Sequence, residues 1–160
     1  MKIRINKKTI IKLVGVLVAL FLLIQLIPNK RPAVTMDNPS DLIQNTKMPP
    51  QVARMIQTSC YDCHSMETKY PWYDKMAPAT WLVYRDIRVG RRKLNFSDWT
   101  KLSTAEKLKA LNHIGEEVGS GDMPFLPYAI IHKKARLNKE QRKIIVDWTK
   151  QYSKDLFYAN

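Results

Sequence analysis

The chain has 160 residues and two cysteines, which stand two residues apart in the stretch "TSCYDCHSM", with a histidine directly after the second. This Cys60-x-x-Cys63-His64 run constrains the chain more than any other feature. A two-residue gap lets one turn of backbone carry both thiols, with the imidazole directly beside the second. A structural disulfide tying distant segments is excluded, because no third cysteine exists. A structural zinc site needs four ligands, and the other histidines, His113 and His132, are isolated in the sequence. A thioredoxin-like redox pair would sit in a βαβ pattern, and no alternating strand pattern of useful length is present.

The spacing that remains is that of covalent c-type haem attachment. Cys60 and Cys63 would each give a thioether to a haem vinyl group, and His64 would sit beneath the iron as an axial ligand. For the opposite axial position the candidates are Met66, Met76, Met123, His113 and His132. Met66 is too close to His64 to reach the other face. Met123 is favoured, because it lies in "GDMPFLPY", where Pro124 and Pro127 stiffen a loop that Gly119 and Gly121 free. The alternative for Met123 is gap-filling in an apolar core.

The remaining pattern is helical. Pro50 can open a short helix through Val52, Met55 and Ile56 that delivers the chain to Cys60. Residues 77–92 suit a helix from near Pro78, with Trp81, Tyr84, Ile87 and Arg88 at helical spacing. Ser103-Thr104-Ala105-Glu106 has the form of a capping box and opens a helix ending near Gly119. Residues 119–128 read as irregular, and Asn138 starts a last helix with Ile144, Ile145 and Trp148 on its apolar face. The expected fold is all-α: a small cytochrome c-like helical domain with long loops, preceded by an N-terminal transmembrane helix.

That expectation of a membrane span comes from the start of the chain. Leu13 to Ile27 carries no charge and one polar side chain, Gln25. Adding residues 9–12, with Lys12 snorkelling, gives about the 20 residues that cross a bilayer. Seven basic residues and no acid lie in the first 31 positions, a pattern that keeps the N-terminus cytoplasmic. A cleaved signal peptide is the rival reading, but the run ends in Leu-Ile-Pro-Asn without a small-x-small cleavage site. The reading is thus residues 1–30 as membrane anchor or signal, 31–49 as linker and 50–160 as c-type haem-binding domain. The expected location is the bacterial inner membrane, single-pass, with the haem domain in the periplasm. The formal charge of +13 is inflated by this flank; beyond it twenty basic residues face fourteen acidic ones, so charge alone does not indicate nucleic acid.

The Cys60–His64 motif, the Met123-Pro124 loop and the final helix with Trp148 resemble a class I cytochrome c. More closely, the run from Cys60 to Trp99 resembles the bacterial haem-binding domain family. The likeness rests on Cys60–Tyr73, Pro78–Trp81, Gly90–Trp99 and Met123–Tyr128, and spans about residues 40–155. It implies a monohaem c-type cytochrome holding one covalent haem c, with His64 and Met123 as proximal and distal iron ligands. Tyr70, Trp72, Tyr73, Trp81 and Trp99 are candidates to wall the porphyrin. Arg85, Arg88, Arg91, Arg92, Trp99 and Tyr128 are candidates to bind its propionates. The expected role is electron transfer to redox partner proteins of a respiratory or periplasmic chain, rather than catalysis. The alternatives are a peroxidase-like haem enzyme or a haem- or gas-sensing module.

Overall fold

The computed structural model describes residues 6–159. Its regular elements are helical throughout, with no strand among the described residues, as the periodicity predicts. The helices are α1 (Lys7–Ile24), α2 (Pro50–Ser59), α3 (Tyr61–His64), α4 (Ala79–Lys93), α5 (Thr104–Ser120), α6 (Leu126–Ile131) and α7 (Lys139–Tyr158), with 3-10 turns at Trp72–Lys75, Phe96–Lys101 and Lys133–Ala135. The chain divides into two compact units. The smaller holds the described residues up to Pro32 together with Tyr70–Asp86; the larger holds Ala33–Lys69 and the chain from Ile87 onward.

In the smaller unit, α1 corrects the expectation of a membrane span. No helix among the described residues is long and apolar enough to cross a membrane. Helix α1 is 18 residues long, about 27 Å at 1.5 Å per residue, and includes Lys7, Lys8 and Lys12. Its uncharged part, Leu13 to Ile24, measures only about 18 Å against a hydrocarbon core of about 30 Å. The helix stops where the apolar run meets Gln25. The Gln25 amide turns back to donate to the Phe21 carbonyl (2.9 Å), and its oxygen accepts the Ala77 amide (2.9 Å). The single-pass anchor, and the inner-membrane placement built on it, are therefore not supported. Lys2 and Arg4, part of the basic flank, lie outside the described residues.

The rest of the smaller unit is organised around Asp74, which is 1% exposed. Its carboxylate meets the Arg31 guanidinium at 3.1 Å and accepts the Tyr84 hydroxyl at 3.1 Å. Arg31 also lies over the Tyr70 ring, 3.8 Å from its centroid. A buried charge needs such partners to offset its lost hydration.

The larger unit contains the main core. Helix α2 starts with Pro50 in its first turn, where a missing N–H costs nothing, and buries Val52, Met55 and Ile56 along one face. Both predicted N-terminal caps form: Ser103 with Glu106 on α5, and Asn138 with Gln141 on α7. The hydrogen bonds from Ser103 hold the Glu106 carboxyl below its usual value. Helices α5 and α7 pack on each other and bring Leu111, Ile114, Val118, Ile145 and Trp148 into a cluster with the α2 face, Tyr61, Phe96 and Trp99. Residues 33–49 contain no helix, yet Leu42 is fully buried in that cluster and its amide donates to the Phe96 carbonyl (2.9 Å). Residues 119–128 are less irregular than expected, because Pro127 falls in the first turn of α6.

Ile145 is fully buried between these helices. Ile145→Ala is expected to lower stability by about 2–5 kcal/mol, the range for truncating a fully buried aliphatic side chain. Denaturant unfolding followed by circular dichroism measures it.

Candidate functional site

Helix α2 ends at Ser59, the backbone kinks at Cys60 (φ −125°, ψ −33°), and α3 carries the chain through one turn to His64. The turn is closed by the Cys63 and His64 amides, both donating to the Cys60 carbonyl at 3.2 and 2.9 Å. Cys60, Cys63 and His64 thereby stand within one turn of backbone, Cys60 at the kink and the other two on α3. The two cysteines are not joined as a disulfide. Cys60 packs against the apolar cluster; burial first, and the neighbouring Cys63 second, push its thiol up to about 12. A thiol held protonated this firmly is a poor redox nucleophile, which argues against the disulfide-exchange reading.

His64 is oriented by the turn after α4. Its Nδ1 lies 3.0 Å from the Leu94 carbonyl oxygen. A carbonyl can only accept, so Nδ1 carries the proton and Nε2 keeps its lone pair. Burial lowers the His64 pKa, with the Lys93 charge acting the same way. The carbonyls of Leu94 and Gly90 and the Glu117 carboxylate oppose that shift. The ring also sits against Phe96, centroids 5.9 Å apart. The result is a half-buried imidazole with Nδ1 committed to a carbonyl, which leaves Nε2 as the nitrogen that could bind a metal.

The segment Gly90–Trp99 encloses this turn. A Cβ at Gly90 would stand 2.5 Å from the Cys63 carbonyl oxygen, so only glycine lets α4 approach the motif this closely. Arg91 donates to the Ser65 carbonyl (2.8 Å), the Ala33 carbonyl (2.7 Å) and the Thr68 hydroxyl (2.9 Å). Phe96 stacks on Tyr61 at 5.4 Å, and the Tyr61 hydroxyl donates to Asp41 at 2.8 Å. Ser97 accepts the Met66 amide at 2.9 Å.

Several expected propionate partners have other work. Arg91 is used on the protein's own carbonyls. Trp99 is 1% exposed, with its indole N–H directed to the Tyr152 hydroxyl at 3.4 Å. Tyr128 donates to Asp62 at 2.7 Å, and Arg85 pairs with Asp86 at 2.9 Å. Among the expected porphyrin-wall aromatics, Tyr70, Trp72, Tyr73 and Trp81 belong to the smaller unit and Trp99 to the larger.

Met123 lies in the larger unit, in the loop after α5. Gly121 turns the chain with φ +97°, a left-handed conformation that glycine adopts without penalty. The Met123 amide donates to the Glu117 carbonyl (2.9 Å), and Arg142 of α7 donates to the Met123 carbonyl (2.6 Å) and the Val118 carbonyl (3.0 Å). The half-buried Met123 side chain packs against the same apolar cluster as Cys60. Glu117, whose backbone holds Met123, is the residue whose carboxylate acts on His64. His113 is 59% exposed and 3.6 Å from Glu116, while His132 stacks on Tyr128 at 4.3 Å.

These residues fit a covalently held haem. Two thiols and an imidazole whose Nδ1 is committed to the Leu94 carbonyl stand within one turn of backbone, which α4 approaches so closely that a Cβ at Gly90 would strike it. No group of three or more His, Cys, Asp or Glu among the described residues could hold a bare metal ion. A cleft of about 310 Å3 is lined by residues that include Tyr61, Asp62, Tyr128 and His132, but neither cysteine nor His64. Sequence reasoning missed Gly90, Leu94 and Asp62. A glycine inside a helical run was the available signal for the first.

A protein-family model described as "Haem-binding domain" matches residues 19–151 of the chain. No curated protein and no solved structure matches it.

Gly90→Ala is expected to destabilise the fold by about 1–3 kcal/mol, because overpacking against Cys63 outweighs alanine's helix preference. At Gly119 an added Cβ meets only Val146 Cγ2, at 3.6 Å, so Gly119→Ala is expected to be neutral or stabilising by up to about 1 kcal/mol. Thermal unfolding of the two variants compares them.

Proposed function

The chain belongs to the haem-binding domain family, and from that premise we propose that it is a monohaem c-type cytochrome that carries electrons between redox partner proteins. The observation that carries this reading is the His64 imidazole, fixed through Nδ1 by the Leu94 carbonyl one turn from two thiols.

In this reading each thiol delivers its sulfur to one vinyl carbon and its proton to the other, so attachment needs no oxidant. The protonated state of Cys60 suits that addition. His64, through Nε2, and Met123, through its thioether, are the residues that would hold the iron; a thioether ligand would favour the reduced metal and raise the potential. Haem supplies an iron that exchanges one electron with little rearrangement. The chain's part would be to hold that iron with His64 and Met123, beside a core in which Tyr61, Phe96 and Trp99 are buried. With Met123 as a second ligand no position would be left open for a peroxidase, which needs one; the carrier reading rests on that ligand.

The excess of basic over acidic residues beyond position 31 suits a redox partner with an acidic face, met through weak, salt-sensitive docking. Electron exchange with such a partner is expected to slow as ionic strength rises, measured by stopped-flow absorbance at several salt concentrations.

Cys60→Ala combined with Cys63→Ala is expected to abolish haem that survives acid–organic extraction, as read by intact mass. Met123→Ala is expected to leave that haem attached, lower the midpoint potential and let carbon monoxide bind the ferrous iron. Extractable haem in the native chain would refute covalent attachment. An unchanged ferric spectrum in Met123→Ala would refute the distal ligand.

A further inference from the structure

Asp62 stands between the two cysteines and takes no part in the thiol and imidazole face. It is nonetheless the most elaborately held residue of the motif. Its Oδ1 accepts the Lys69 amide at 2.9 Å, its Oδ2 accepts the Tyr128 hydroxyl at 2.7 Å, and its backbone carbonyl accepts the Thr68 hydroxyl at 2.7 Å. Thr68 in turn accepts from Arg91. Asp62 is therefore part of the rigid frame of the motif.

Tyr128 belongs to α6, whose start follows Met123 by three residues; Pro124 stands before that start and Pro127 in its first turn. Its ring is fixed by stacking on His132, interplanar angle 16°. The Tyr128–Asp62 bond thus links, across 66 positions of sequence, the segment bearing Met123 to the turn bearing His64. On its other side the same segment is held by Arg142 through the Met123 carbonyl.

We propose that Tyr128 and Asp62 are a positioning pair for the distal ligand: their hydrogen bond confines the Met123 segment and so sets how firmly Met123 competes for the iron. The inference rests on Met123 being that ligand. A tethered ligand binds at an effective concentration that falls as its tether loosens. A hydrogen bond to a carboxylate is strong enough to alter that competition by roughly tenfold or more.

The test uses the full chain with haem attached, in the ferric state, titrated with imidazole as the competing ligand. Loss of the far-red charge-transfer band that thioether sulfur gives ferric haem reports displacement. Tyr128→Phe, which keeps the ring and removes only the hydroxyl, is expected to tighten imidazole binding roughly tenfold. Asp62→Ala removes the same bond together with the acceptor of the Lys69 amide, so it is expected to tighten imidazole binding at least as much, and adding Tyr128→Phe to it is expected to change nothing further. In a Met123→Ala background, Tyr128→Phe is expected to change imidazole affinity not at all.

Tyr128→Phe with native imidazole affinity, even if its thermal stability falls, would overturn the proposal. So would an equal tenfold gain in the Met123→Ala background, because the effect would then bypass the ligand. Native protein and Met123→Ala binding imidazole equally would instead remove Met123 as the distal ligand, and with it this inference.

Discussion

One hydrogen bond, from the protonated Nδ1 of His64 to the Leu94 carbonyl, determines what the site can do. Without it the imidazole could rotate or exchange tautomers; with it, one nitrogen is committed and the other is left as a donor. The bond depends on α4 ending beside the motif, and that approach depends on Gly90, where any side chain would strike the Cys63 backbone. The accepting carbonyl lies just past the C-terminal end of α4, where the helix dipole is negative. The placement therefore also makes the imidazole a richer electron donor.

The motif is held by polar contacts more than by apolar packing. Arg91 spans three oxygens, Ser97 captures the Met66 amide, and Tyr61 reaches down to Asp41. Such bonds are directional, so they fix an orientation where apolar contact would fix only proximity. The apolar cluster of α2, α5 and α7 gives the larger unit its stability. The bonds around α3 give it a defined geometry. Asp41 shows the cost of this arrangement: it is 2% exposed, and while one carboxyl oxygen serves Tyr61 and the Ile43 amide, the other has no partner.

Local rules made much of this legible in the sequence. The Cys60–His64 spacing announced a single turn of backbone, and the Ser103–Glu106 pattern announced a capping box, because both depend on residues within one turn. The span expected at the N-terminus failed on a local rule applied too loosely. Lys12 and Gln25 were absorbed into an apolar run, whereas the helix keeps three lysines and stops before Gln25. Residues 119–128 looked irregular because Pro127 reads as a helix breaker unless it is known to fall in a first turn. The contacts of Leu94, Gly90 and Asp62 were invisible for a different reason. The pairs His64–Leu94, Cys63–Gly90 and Asp62–Tyr128 join positions separated by 27 to 66 residues, and no periodicity records such pairings.

Arg142 joins the end of α5, the Met123 carbonyl and the start of its own helix α7 through the carbonyls of Val118, Met123 and Leu137. Couplings of this kind are reciprocal. If docking of the C-terminal helix steadies Met123, then capture of Met123 by a bound metal must steady that helix by the same free energy. The oxidation state of an iron held there would thereby be registered in how tightly the last twenty-residue helix adheres to the body of the protein.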